Sequence, residues 1–194
     1  MPKRVSSNNK VYKTNRVVYL LVLYKATPMF RSLILSLYLF TSSFYAAAQE
    51  YVEQFRQQYP SARTDATVCE KQIAVIDGLK TFTPLQRAYA GAFYAVWPEH
   101  LQSPLKKLNA FKKGKSYLEQ AIREDPGNTE IHFLRLTVQH NAPAMLGYND
   151  NKDGDLKIVL ENYKKTKSPI LRAHIKDFLL PTDLLSPSQR KMLD

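Results

Sequence analysis

The chain has 194 residues, a length for one or two small domains. Its formal charge of +11 points at first to a polyanionic partner, but the charge is unevenly placed. Seven bases (Lys3, Arg4, Lys10, Lys13, Arg16, Lys25, Arg31) precede residue 49 with no acid among them; from Gln49 onward 21 bases face 17 acids, a net of +4 that removes the main support for nucleic acid as a partner.

The first 28 residues contain an apolar run, "VVYLLVLY" (17–24), separated from the next by Lys25, Pro28 and Arg31. Joining the two runs into one span would place charges at mid-membrane, at about 2.5 kcal/mol or more each. Translation is therefore expected to begin at Met29, with residues 1–28 a non-native extension. "MFRSLILSLYLFTSSFYAAAQE" (29–50) has the parts of a signal peptide: Arg31 as the positive region, Leu33 to Phe40 as a short apolar stretch, and Ala46-Ala47-Ala48 as the small residues before a cleavage point. The expectation is a signal peptide over 29–48 and a mature chain starting at Gln49. The apolar stretch is much shorter than the roughly 20 residues a spanning helix needs, so no stable membrane span is expected after cleavage. An uncleaved anchor is the alternative. The expected location is outside the cytoplasm, periplasmic or secreted.

Residues 49–194 read as a single all-α domain, an irregular bundle of stacked helical hairpins with about seven or eight helices. The recurring signal is a hydroxyl residue followed by proline, at Thr83-Pro84, Ser103-Pro104, Ser168-Pro169 and Ser186-Pro187. The hydroxyl caps a free N–H, and proline suits the first helical position because no donor is needed there. Thr83 with Gln86, and Ser186 with Gln189, add capping boxes. Helices are predicted near 50–58, 65–79, 84–97, 104–124, 129–141, 152–166, 169–179 and 187–193, with a turn at Asp125-Pro126-Gly127-Asn128.

The faces of these helices predict their packing. Ala88, Gly91, Ala92 and Ala95 form a small-residue stripe that admits another backbone. Leu108, Phe111, Leu118, Ala121 and Ile122 form the apolar stripe of 104–124, whose lysines are spread around the helix as a solvated surface. In 129–141, Ile131, Leu134 and Val138 point one way and Phe133 and Leu136 nearly the other, so this helix is expected to lie between two layers.

"FKKGKSYLEQAIREDPGN" (111–128) resembles the second helix and terminal turn of a tetratricopeptide repeat, with Gly114, Leu118, Ala121 and Pro126 at its small, large, small and turn-proline positions. The likeness covers half a repeat: Pro98 and Gln102 stand where the family has Trp and Gly, and no copy follows 34 residues on. "DPGNTEIHFLRL" and "NAPAMLGYN", together with the export signal, are similar to a group of small uncharacterised exported proteins of Bacteroidota-type bacteria. That resemblance implies export and no particular activity.

Chemistry is sparse. Asn149-x-Asn151-x-Asp153-Gly154 matches the start of a calcium loop, but the twelfth position, which needs a bidentate glutamate, is Leu160. The four histidines make no HExxH pair or zinc spacing with Cys69, and no nucleophile elbow or phosphate loop is present. No catalytic residue, metal or cofactor is assigned. Cys69, the lone cysteine, allows no intrachain disulfide and is expected to be a buried, inert thiol. A polar stripe, His132, Arg135 and Gln139, runs along a helix that is otherwise apolar on two sides. Its guanidinium is expected to pair with a carboxylate such as Glu99 or Asp177 or to bond to the carbonyls of a loop, or else to line a groove with Asn141, Tyr148 and Asn149 that holds an anionic peptide terminus. The functional expectation is a non-catalytic binding or scaffold module for a protein partner in the cell envelope. A cell-envelope hydrolase and a structural accessory subunit are the alternatives.

Overall fold

The structure is a computed structural model that describes residues 28–193. The expectations for residues 1–27, including the apolar run at 17–24, lie outside them. Among the described residues there are eight α-helices and no strand. They are α1 (Pro28–Ala62), α2 (Ala66–Gly78), α3 (Pro84–Val96), α4 (Pro104–Glu124), α5 (Thr129–Asn141), α6 (Lys152–Asn162), α7 (Pro169–Leu179) and α8 (Pro187–Arg190), with short 3-10 segments at Trp97–His100, Ala144–Leu146 and Tyr163–Lys165. The chain divides between Ala47 and Ala48 into two units. In the first, residues 28–47 are helical. No helix among the described residues is long and apolar enough to cross a membrane. The second unit, Ala48–Asp194, holds the end of α1 and all of α2 to α8.

Every predicted hydroxyl-proline start is a helix start. Thr83 Oγ1 accepts from the Gln86 amide at 3.3 Å while Gln86 Oε1 accepts from the Thr83 amide at 2.9 Å. Ser186 and Gln189 form the same reciprocal pair. Ser103 and Ser168 cap α4 and α7. Asp65 and Asn128 cap α2 and α5, each accepting from two backbone amides. Not every end falls as expected: the last helix stops at Arg190 rather than 193. The first helix runs four residues past 58, through Pro60, to Ala62. The sixth stops at Asn162 rather than 166, where Asn162 Nδ2 donates to the Ile158 carbonyl and Thr166 Oγ1 donates to the Asn162 carbonyl. Such local side-chain bonds compete with the helical ladder.

The core has two parts, with α5 between them. Ile131, Leu134 and Val138 belong to the first, alongside Phe55, Tyr89, Phe93 and Leu118. Phe133 and Leu136 belong to the second, with Val159, Ile175 and Leu179. The sequence periodicity of 129–141 thus becomes a helix covered on both apolar sides. In the first part Phe55, Tyr59, Tyr89 and Phe93 pack with ring centroids 5.6–6.2 Å apart. There the small stripe of α3 meets α4 so closely that Gly91 and Gly114 touch through their backbones.

Candidate functional site

Two buried ionic clusters tie the layers together. In the first, Glu130 at the start of α5 takes Nε and Nη2 of Arg56 from α1 at 2.8 and 2.9 Å, and the Tyr89 hydroxyl donates to its Oε1 at 2.6 Å. Arg56 also pairs with Glu53.

The second cluster is built on the polar stripe of α5. Arg135 lies against Asp155 of α6 as a bidentate pair, both bonds 2.8 Å, and its Nη1 reaches Glu119 of α4 at 3.1 Å. His132 Nδ1 is 2.6 Å from Asp155 Oδ1, and its Nε2 is 2.9 Å from the Pro126 carbonyl. Both partners of the ring accept, an arrangement that favours a proton on each ring nitrogen and so the imidazolium form of His132. Burial works against that charge, but the bonds to Asp155 and the Pro126 carbonyl outweigh it and raise the His132 pKa above its ordinary 6.5. Tyr148 completes the cluster: its hydroxyl donates to Glu119 at 2.7 Å, and its ring packs edge-on to Phe111. Burial, then the Glu119 contact, pushes the Tyr148 hydroxyl pKa upward.

These distances settle the whereabouts of the six sequence candidates. His132, Arg135 and Tyr148 converge, but on the shared carboxylates of Asp155 and Glu119 and inside the protein. The guanidinium is paired with Asp155 and Glu119 rather than with Glu99 or Asp177. Gln139 is also buried, and neither atom of its amide has a partner among the described residues. Asn149 is exposed in the loop before α6. Asn141 alone reaches an open concavity. There Asn141 Oδ1 accepts from Arg63 while Nδ2 donates to the Thr137 carbonyl. Asp155, which directly follows the calcium-loop pattern in the chain, is held by Arg135 and His132. Among the described residues no group of three or more His, Cys, Asp or Glu assembles around a common point.

The concavity opens from the neighbouring face of α5. It is a groove of about 790 Å³. Tyr59, Phe111, Phe133, Val138, Leu146 and Phe178 give it apolar walls drawn from both halves of the core. Its polar groups are few and mostly satisfied by each other. Thr137 Oγ1 donates to the Leu134 carbonyl, so the Tyr59 hydroxyl donates to Thr137 at 3.0 Å. Burial pushes the Tyr59 hydroxyl up to about 12. At the rim, Arg63 pairs with Glu99 at 3.2 Å. His174 and Asp177 of α7 also line the groove. Burial lowers the His174 pKa despite the opposing Asp177 carboxylate. Periodicity could not find this site, because its walls come from five separated stretches of chain. The one local signal was the apolar weight of Met145 and Leu146 in a loop.

Cys69 is fully buried, its Sγ 3.8 Å from the Phe93 carbonyl, and burial pushes its thiol up to about 12. No family model, curated protein or solved structure matches this chain. The groove and its chemistry therefore carry the functional argument alone.

Proposed function

We propose that the protein is an exported, non-catalytic binding module that offers this groove to an apolar segment of a protein partner in the cell envelope. The supporting observation is a large open groove with apolar walls in which the fixed polar groups are turned to one another. Apolar concavities of a few hundred to about 1,000 Å³ are where ligands and partner side chains are buried. Export rests on the sequence pattern around Arg31, Leu33–Phe40 and Ala46–Ala48.

A hydrolase reading has less to stand on. Tyr59 and Thr137 are the hydroxyls lining the groove, and each is engaged. Cys69 lies away from it with a thiol far from its reactive range. An accessory subunit held by a closed bundle fits poorly with an open groove.

Two measurements test the reading. A photo-crosslinking amino acid placed at Met145 of the full chain in its native cells should give a discrete protein adduct, while the same group at exposed Lys157 on α6 should not. No Met145 adduct, or equal adducts at both sites, ends the groove reading. N-terminal sequencing of the native protein should begin at Gln49; a mature chain retaining residues 29–48 would end the export reading.

A further inference from the structure

Granting that the groove binds a protein partner, its surroundings narrow the partner's chemistry. The apolar surface does not stop at the mouth. Met145, 91% exposed, and Leu108, 37% exposed, line the groove, and Leu105, 67% exposed, follows on the same helix one turn from Leu108. Of the exposed large apolar side chains in the described part of the second unit, only Met192 lies apart from this patch. Apolar surface that spreads out of a cleft onto its rim suits a long object laid across it better than a small one enclosed by it. An exposed methionine fits its shape to many apolar partners.

The backbone of the occupant is constrained as well. There is no sheet edge among the described residues, so an extended peptide finds no ladder to join. The groove's side-chain donors and acceptors are largely engaged already, as in Tyr59–Thr137, Arg63–Glu99 and Asn141–Thr137. An extended strand pressed onto these walls would bury unpaired amides and carbonyls. A helix keeps its backbone bonds to itself and presents side chains only.

Charge adds a third constraint. Arg63 and Glu99 neutralise each other, whereas Lys107 on α4 and Asp177 on α7 make no salt bridge among the described residues. One wall therefore offers a cation and another an anion that no salt bridge among the described residues neutralises. From these three observations we infer that the groove takes an amphipathic helix whose apolar stripe is flanked by acidic residues on one side, for Lys107, and basic residues on the other, for Asp177.

The test uses the full chain and three synthetic helical peptides of about 18 residues with one leucine stripe. They differ only in the flanks: acidic and basic, acidic on both sides, or basic on both sides. Fluorescence anisotropy should rank the mixed peptide first by about 2- to 5-fold, the scale of exposed ion pairs. Met145→Glu should weaken all three about 10-fold or more. Lys107→Glu should move the preference to the basic peptide and Asp177→Lys to the acidic one. The double reversal should restore the mixed peptide, now bound in the opposite direction.

An unchanged ranking in the two single reversals overturns the inference. So does binding of dodecanoate with no peptide bound, which would make the groove a small-amphiphile site. So does a dimer abolished by Met145→Glu, which would make the occupant a second copy. A Met145 crosslink in cells alongside unranked peptides rejects the helix while keeping the groove reading; loss of both crosslink and peptide binding rejects both.

Discussion

Gly91 and Gly114 meet backbone to backbone where α3 packs on α4. A Cβ on Gly114 would stand 2.6 Å from the Gly91 carbonyl oxygen and 2.6 Å from the Ala95 amide nitrogen; one on Gly91 would stand 2.8 Å from the Gly114 carbonyl oxygen. These are backbone atoms in two helices and cannot swing aside, and Leu118 Cγ, 2.7 Å from the carbon added at Gly91, crowds that site further. Gly91→Ala and Gly114→Ala should each destabilise by about 1–3 kcal/mol, as overpacking does, even though alanine is the better helix former. Gly154→Ala is the control. Nothing lies within 4 Å of its added carbon, and it should be neutral or stabilising by up to about 1 kcal/mol. Urea unfolding of the three variants measures the contrast, and similar midpoints for all three would refute the close crossing.

The Arg135–Asp155 pair should behave as a buried unit. Removing one partner leaves a desolvated charge, so Arg135→Met or Asp155→Leu alone should cost about 3–5 kcal/mol. The double variant should recover much of that loss, because apolar side chains of similar size replace a buried pair at little net cost. A double variant as unstable as the sum of the singles would mean that the two residues act independently, each through its other partners, and not as a buried pair.

Two histidines shift in opposite directions and should give stability a maximum near pH 6.5. His132 has a raised pKa in the fold, so its contribution is complete below the unfolded value of about 6.5 and is lost as pH rises through the folded value. His174 has a lowered pKa; its burial as a neutral ring costs stability as pH falls below about 6.5, where the unfolded chain takes up the proton first. Denaturant midpoints between pH 5 and 9 should show both limbs. His132→Gln should flatten the alkaline limb and His174→Gln the acidic one; a variant that lowers stability without changing its slope would place the titration elsewhere.

What the chain disclosed by itself follows the range of the forces involved. Helix starts are local: Thr83, Ser103, Ser168 and Ser186 each cap the amide three residues on, so each was legible from a few letters. The double face of α5 was legible because a 3.6-residue period fixes which side chains share a side. The partners of Arg135 were not. Burial of the stripe demands a carboxylate, but Glu119 and Asp155 reach it through the folding of α4 and α6 against α5, and Asp155 lay hidden in a run that reads as turn residues. The groove was least legible. The sequence pointed to the His132–Arg135–Gln139 side of α5, which its neighbours close, whereas the opening lies along Phe133, Thr137, Val138 and Asn141.

Gln139 offers a final test, because its side chain is 2% exposed and both ends of its amide are unpartnered among the described residues. A buried amide without partners costs about 1–3 kcal/mol relative to its hydrated state. Methionine has a similar length and shape and no need for hydrogen bonds, so Gln139→Met should raise stability by about 1 kcal/mol. Arg135 sits one turn away, and its bonds to Asp155 and Glu119 should be untouched. The His132-dependent alkaline limb should therefore persist in the variant. A drop in stability would show that the amide finds a partner in solution, and loss of the alkaline limb would show that Gln139 belongs to the ionic cluster.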